Sequence, residues 1–570
     1  MPLSKNSRSR ISERLRLLYG DQAKDVLRRI DQLADRYAAL RDREPSLLWD
    51  QRSVVLITYG DQIHSDGIAA LEAQRQFLLD YDLSSAISAI HILPFFPYSS
   101  DDGFSVIDYQ RVDPEMGDWS DVDRLGESFG TAFDLVVNHC SQQHDWFQRY
   151  LKGEEPYINY FIDADPSTDL SAVTRPRSSP LLTPFETDSG IQHVWTTFSA
   201  DQVDLNFANP DVLLEMLDIL LSYVQHGAGI IRLDAIGFLW KQVGTTCMHL
   251  PETHVVVKLM RDLVDDLAPG TILLSETNVP HDENVSYFGE GDEAHIVYQF
   301  SLAPLLLDAF LTGDADPLSD WLSGLEFPGE GMTYFNFTAS HDGIGVRPLE
   351  GLVSPDRVDG LVEGVRRRGG LVSTRRKPDG TESPYELNIS YVSAMDSPGE
   401  LSRDDHARSF LASQGLMLSL KGVPGIYFHS LVGTQNYTEG VEQTGHNRTI
   451  NRRKFDSDEL RRTLSDESSV QHKIFDGYRR MLKVRVAQPA FHPDAEQCIL
   501  DTHDNSIVAF TRSSLEGNQQ ILVIVNVGAK PVSVDLERFN GVEGTEDLLS
   551  GKRTKNRTYE IAAHDIAWLA

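Results

Sequence analysis

Eight short apolar stretches between Ser53 and Ser430 constrain the fold more than any other feature of the chain. They read SVVLITYG, AIHILPFF, FDLVVNH, GIIRLDAIGF, TILLSET, AHIVYQF, MTYFNFTASHD and GVPGIYFHS, and each is followed by a loop and then by helical periodicity. Short runs rich in β-branched and aromatic residues suit strands buried on both faces, and their alternation with helices specifies a parallel sheet. Eight such units predict an α/β fold, a (β/α)8 TIM barrel, in which chemistry collects at the C-terminal strand ends. Polar residues stand at those ends: His139, Asp234, Glu276 and the pair His341–Asp342.

The barrel is expected over residues 53–489. Ahead of it, residues 1–52 read as a helical segment, with Ile11, Leu15 and Leu18 on one face and Val26, Ile30, Leu33 and Tyr37 repeating the spacing. An insertion over 140–206 follows the third strand and includes the Pro-, Ser- and Thr-rich stretch TDLSAVTRPRSSPLLTPF. A second long loop over 349–390 carries RRRGG, STRRKPDG and SPYELNISY. Long insertions of this kind are usually functional or disordered. Residues 490–570 alternate as strands, in SIVAFTRSS and ILVIVNVGAKPVSVDL, and read as a C-terminal antiparallel β domain.

Charge excludes whole classes of partner. Lys and Arg total 52 against 85 Asp and Glu, a net charge of −33, so nucleic acid and anionic lipid are repelled. The N-terminus lacks the apolar core of a signal peptide, and no uncharged apolar run is long enough for a bilayer. The three cysteines show neither paired nor metal-ligand spacing. These features predict a soluble cytoplasmic protein with small-molecule partners, no nucleic-acid or membrane partner, and an open oligomeric state.

GIIRLDAIGF places a cation and an anion inside an apolar strand. Residues i and i+2 share a face, so Arg232 and Asp234 point together into the barrel mouth, where Arg232 is expected to hold Asp234 ionised and oriented as a nucleophile requires. Taken alone, the two can equally be a buried pair that ties the barrel together. Glu276 ends the next strand among apolar neighbours and is expected to titrate high, as a proton donor. A lone Glu there is more often a salt-bridge partner, but beside Asp234 it completes the retaining glycosidase arrangement. Asp342 offers a third carboxyl for sugar hydroxyls and an oxocarbenium-like transition state. His139 can donate to a sugar hydroxyl, although an isolated histidine is more often structural.

DLVVNH, GIIRLDAIGF, LLSETN and FTASHDGIG together resemble the four catalytic-barrel signatures of the alpha-amylase family of glycoside hydrolases. The resemblance implies Asp234 as nucleophile, Glu276 as general acid/base and Asp342 as transition-state stabiliser. It implies His139 and His341 as sugar contacts and Arg232 as the arginine orienting the nucleophile. SSDDGFSVIDY, VWTTFSADQVDLN, TRPR, INR and WKQVGTTC are similar to the sucrose-phosphorylase branch. That implies Asp101, with Asp102 beside it, on distal glucose hydroxyls, Phe104 stacked on the ring, and Phe198, Gln202 and Arg452 at the donor site. Arg177 is implied to bind phosphate.

A glucosyl-enzyme prefers phosphate to water only where phosphate is bound and the pocket poorly wetted, and arginine suits phosphate through charge-assisted pairs. Arg177 and the basic residues of the 349–390 loop fit that need, although exposed basic runs are commonly just solvated. SPYELNISY departs from the sucrose-cleaving members, with Glu386 where they carry glutamine after the tyrosine, here Tyr385; the resemblance implies both residues as substrate contacts. This departure, the longer N-terminal segment, SETNVPH and FNFTASHDGIGVRPLEGL resemble the subgroup acting on 2-O-α-D-glucosyl-D-glycerate. The implied reaction is reversible phosphorolysis to α-D-glucose 1-phosphate and D-glycerate by double displacement. The alternatives are sucrose, sucrose 6′-phosphate or glucosylglycerol as substrate. No cofactor is expected and no required metal: Asn138 matches a calcium-linked position of some amylases, but no complete ligand cluster accompanies it.

Overall fold

A computed structural model describes all residues except 1–2, 44–47, 178, 377–380, 398, 400, 540–545 and 555–556. The KPDG stretch of the basic loop, at 377–380, lies outside the described residues.

Eight parallel strands close into a barrel, in chain order: β1 Val55–Thr58, β2 Ala89–Ile92, β3 Gly130–Val136, β4 Ala228–Asp234, β5 Ile272–Ser275, β6 Ile296–Tyr298, β7 Thr333–Asn336 and β8 Val423–Tyr427. Each coincides with one of the eight apolar runs. Helices such as Pro210–Gln225 and Pro251–Leu267 cover the outside, and both begin with proline, whose missing N–H costs nothing at that position. The barrel interior is filled rather than hollow. Phe335 of β7 crosses it toward β8, where a Cβ built on Gly425 would lie 2.4 Å from the phenyl ring. Glycine there is a packing requirement of the barrel core.

The N-terminal helices Lys5–Tyr19 and Ala23–Arg36 bury Ile11, Leu15, Val26 and Ile30. Ion pairs of Arg10 and Arg14 to Asp262 (2.5 Å each) and of Arg41 to Asp266 (2.6 Å) hold this segment to the helix Pro251–Leu267 and its end.

Both long insertions are folded. After β3, His139–Ser141 pairs antiparallel with Gln202–Asp204, and between them lie the helix Asp145–Leu151 and the hairpin Leu182–Thr187/Gly190–Trp195. The 349–390 region, expected as a loop, holds the helix Pro355–Arg367 and the strands Leu371–Arg376 and Glu382–Asn388. These strands pair with each other, and the second pairs with Ile344–Gly345 just after β7. Partly exposed hairpins lack the apolar signature of a barrel strand, which is why the spacing reads as loop.

The C-terminal sheet runs Glu496–Leu500, Ile507–Ser513, Gln520–Asn526, Asp565–Leu569, all antiparallel. Two buried arginines join it and the last helix to the barrel through backbone carbonyls. Arg485 donates to Leu418 (2.8 Å) and Gln51 (2.6 Å), and Arg512 to Ser419 and His492 (2.6 Å each). Burial, with no carboxylate in contact among the described residues, pushes both guanidiniums down to about 9. Among the described residues, no helix is long and apolar enough to cross a membrane.

Gly425→Ala should destabilise the barrel by about 1–3 kcal/mol through overpacking against Phe335. Thermal unfolding checks this: the midpoint should fall, and it should recover in part when Phe335→Leu is added.

Candidate active site

At the C-terminal mouth, adjacent strands bring carboxylates around one guanidinium. Asp134 of β3 stands opposite Arg232 of β4 in register, and Glu276 follows β5. Arg232 Nη1 donates to Asp134 and, at 2.8 Å, to Asp234, while its Nη2 lies 4.0 Å from Glu276 Oε2. The rings of Phe104 and Tyr298 lie 5.7 and 5.6 Å from its Cζ, so the cation has two aromatic faces within cation–π range. His91 of β2 completes the base of the cluster, with Nε2 2.7 Å from Asp134. After Asp234 the chain turns sharply: Ala235 is left-handed (φ 50°), and its amide donates to Glu276 Oε2 at 3.0 Å. That conformation costs a non-glycine residue about 1–2 kcal/mol, which the surrounding fold must offset.

Arg232, expected to hold Asp234 ionised and oriented, does not serve Asp234 alone. One guanidinium serves three carboxyls. Burial would raise Asp134, but Arg232 and His91 together hold it below the usual range. For Asp234, burial outweighs Arg232, and neighbouring Glu276 pushes it up further. Glu276 is raised first by burial and then by Asp342, against the pull of Arg232. The two titrate as a pair that retains a proton. Arg232 touches Asp234 and only approaches Glu276, so the geometry favours that proton on Glu276.

A second cation group faces this one. Arg448 bonds Asp342 (2.6 Å) and grips Glu386 with two nitrogens (2.7 and 3.1 Å). Burial would raise Asp342, but Arg448, then Arg452, Arg232 and Arg177, keep it below the ordinary carboxylate range. Glu386, expected to meet substrate, is only 2% exposed, and its carboxylate is committed to Arg448. Arg452 joins Asp101 (3.2 Å), Asp102 (2.7 Å) and the His341 carbonyl (2.9 Å). The turn carrying those aspartates is left-handed at both, and the following Gly103 (φ 108°) has no room for a Cβ, which would sit 2.4 Å from the Pro94 carbonyl.

Phe104 stacks on His341 at 4.5 Å, so one face of the ring expected against sugar is taken by protein. The Phe104 carbonyl lies 3.0 Å from His139 Nε2 and accepts from Gln202 at 3.3 Å; these two side chains hold the Phe104 backbone. Burial keeps His139 and His341 neutral at ordinary pH. Phe198 meets Phe238 edge-on at 5.4 Å beside His139. A backbone bond from Thr174 to Thr246 (2.9 Å) pins the 140–206 insertion over the barrel. This brings Arg177 to 5.7 Å above the Tyr385 ring. Asn138 accepts from Lys241 (2.6 Å), whose ammonium also pairs with Asp204 (2.7 Å), so the chain supplies its own cation there.

A cavity of about 70 Å³ opens beside Glu276, lined among others by Phe238, Tyr385, Arg175, Arg347 and Arg375. Sequence reasoning did not single out Asp134, His91, Lys241, Arg347 or Arg448. Asp134 carried a usable signal, since it is a charge inside the apolar run FDLVVNH, as Arg232 is inside its own. Arg448 carried none: it lies in a polar turn and meets Glu386 across 62 residues.

Comparison with known proteins agrees with this architecture. Residues 78–318 match the model of the alpha-amylase catalytic domain. The chain belongs to the alpha-amylase family. It is 46% identical to the glucosylglycerate phosphorylase of Spirochaeta thermophila over 98% of each chain, and 47% identical to that of Allomeiothermus silvanus over 95% of this chain and 96% of the relative. The crystal structure of sucrose 6F-phosphate phosphorylase from Thermoanaerobacter thermosaccharolyticum superposes with a TM-score of 0.72 at 25% identity, covering 84% of this chain and 94% of that one.

The raised carboxyl pair has a consequence for stability. Below the unfolded pKa of about 4.3, Glu276 is neutral in both states; as pH rises through its elevated folded value, the wild-type protein loses stability. Glu276→Gln should therefore unfold at a higher temperature than wild type near neutral pH, and the two midpoints should converge below about pH 4. Thermal unfolding across a pH series checks this, because a difference independent of pH would trace to packing instead.

Proposed function

We propose that the protein is a retaining glycoside phosphorylase that interconverts 2-O-α-D-glucosyl-D-glycerate and phosphate with α-D-glucose 1-phosphate and D-glycerate. One observation carries this reading. Glu276, which is paired with Asp234, lines a cavity whose charged lining is otherwise cationic among the described residues, on a chain of net charge −33. An anionic leaving group and an anionic nucleophile both suit that cavity, and a plain hydrolase needs neither. Identities of 44–47% to three glucosylglycerate phosphorylases over at least 91% of this chain support it.

In the proposed mechanism Glu276 gives its proton to the glycerate oxygen as the C1–O bond breaks, and Asp234 attacks C1 from the opposite face. The resulting β-glucosyl ester leaves Glu276 ionised. A phosphate oxygen then attacks C1, its proton passes to Glu276, and the ester bond to Asp234 breaks, so the α configuration is restored. Asp342, kept ionised by Arg448, is assigned to the hydroxyls and developing charge of the glucosyl ring, with Asp101 and Arg452 at its far side. Arg177, above Tyr385, is assigned to phosphate. The partners are small molecules. The cysteines are unpaired, which suits a reducing compartment, and the cytoplasm is the proposed location.

Incubation with α-D-glucose 1-phosphate and a panel of acceptors tests the reading. Phosphate should be released with D-glycerate, whereas release with fructose alone would replace it by a sucrose-type reaction. Asp234→Asn and Glu276→Gln should each lower turnover by roughly a thousand-fold or more. Arg177→Ala should raise the KM for phosphate more than it impairs glucosyl transfer to glycerate. Equal losses would remove its assignment.

A further inference from the structure

We propose that His249 and Tyr287 are positioning residues that act through Gly237 to fix the turn following the nucleophile, and with it the geometry between Asp234 and Glu276. This rests on the catalytic roles proposed above and deepens them. The turn serves both carboxyls. It begins at Asp234, and the next residue, Ala235, donates its amide to Glu276 Oε2 at 3.0 Å. Phe238 closes it by donating to the Ala235 carbonyl at 3.1 Å. Ala235 is left-handed, so the turn is strained and keeps its shape only with support from outside.

That support comes from His249, twelve residues beyond Gly237 in the chain. The His249 amide donates to the Gly237 carbonyl at 2.8 Å. Its ring lies against the Gly237 Cα: a Cβ built there would stand 2.9 Å from the ring Cε1 and 3.2 Å from Nδ1, with the Tyr287 hydroxyl next at 3.5 Å. Gly237 is not left-handed, so it is the missing side chain, and not backbone freedom, that lets the ring seat. To reach this place the chain is left-handed at both Cys247 (φ 50°) and His249 (φ 54°). Each such residue costs about 1–2 kcal/mol, and strain of this order persists only where contacts outweigh it.

Tyr287 anchors the ring. It is fully buried, and its hydroxyl lies 2.8 Å from His249 Nδ1. Burial pushes the His249 imidazole down to about 4, with His254 and Arg347 adding to the effect, so the ring is neutral at ordinary pH. His249 Nε2 lies 3.4 Å from the Glu283 carboxylate, which places the single ring proton on Nε2 and leaves Nδ1 to accept from Tyr287. Tyr287 is held in turn by His254, stacked on it at 4.6 Å, and His254 Nδ1 lies 2.8 Å from buried Glu293. The bond thus ties the segment after β5 to the one after β4. Gly237 and Phe238 line the cavity beside Glu276, whereas His249 and Tyr287 do not, so their effect on the chemistry passes through the turn.

The test uses the whole enzyme, well below its unfolding midpoint, with α-D-glucose 1-phosphate and every acceptor the wild type uses. Tyr287→Phe removes only the hydroxyl. His249→Gly keeps the left-handed backbone and removes the ring, whereas His249→Asn keeps that conformation and an acceptor oxygen near the place of Nδ1. Tyr287→Phe should lower kcat about ten-fold and His249→Gly about a hundred-fold, equally for every acceptor and with KM little changed. His249→Asn should stay within about three-fold of wild type. Adding Tyr287→Phe to His249→Gly should cost nothing further, because the hydroxyl acts only through the ring. The pH profile gives a second readout. Glu276 is faced by Arg232 and Asp234 on β4, by Asp342 after β7, by Arg448 and by the Tyr385 hydroxyl, none of which these variants replace. The Ala235 amide favours its ionised form, so a displaced turn raises its pKa, and the alkaline limb of kcat should move to higher pH in His249→Gly. A lowered unfolding midpoint with wild-type kcat and an unmoved limb would make the pair structural only and overturn the proposal. Unequal losses among acceptors would overturn it in favour of direct substrate contact. If Asp234→Asn keeps wild-type turnover, the catalytic assignment itself fails and takes the positioning role with it.

Discussion

A single buried guanidinium organises the mouth of the barrel. Arg232 is 2% exposed, within cation–π range of the Phe104 and Tyr298 rings, and shared by Asp134, Asp234 and, at longer range, Glu276. Removing one partner from such a cluster leaves a buried charge uncompensated, at a cost of about 3–5 kcal/mol. Three strands therefore depend on one side chain for their electrostatic balance. The same shortage of positive charge prevents Asp234 and Glu276 from both ionising freely. A site that must donate a proton and present a carboxylate at one pH is built by that imbalance.

The outer part of the site is built by segments outside the barrel sheet. The 140–206 insertion is pinned by the Thr174–Thr246 bond, and the hairpin ending at Asn388 pairs back on Ile344–Gly345. Together they set Arg177 over Tyr385 and close the cavity beside Glu276. Arg448 connects this outer layer to the inner one by bonding Glu386 of the hairpin and Asp342 at the barrel mouth. One guanidinium thus ties the hairpin to the carboxylate at the barrel mouth. Although buried, Glu386 takes part of the charge of Arg448 that would otherwise fall wholly on Asp342.

Legibility followed burial. The eight strands could be read because their side chains face a filled barrel on one side and helices on the other, and full burial leaves only apolar residues to spell the run. Charges that interrupt such a run, Arg232 and Asp234, were conspicuous for the same reason. Asp134 was equally visible in FDLVVNH, but its meaning required knowing that β3 lies beside β4. The hairpins were not readable: Leu182–Thr187 alternates only between partly and fully exposed positions, and its register comes from pairing with Gly190–Trp195.

The sequence by itself determined the parallel barrel, the strand ends that carry Asp234 and Glu276, and the helical and antiparallel segments flanking the barrel. These follow from local periodicity, which any stretch of chain carries without reference to the rest. Tertiary structure alone decided that Arg232 divides its charge among three carboxyls, that Glu386 is held by Arg448, and that Tyr287 meets His249 beside the catalytic turn. Those facts depend on distances between residues far apart in the chain, and electrostatic balance is a property of such distances.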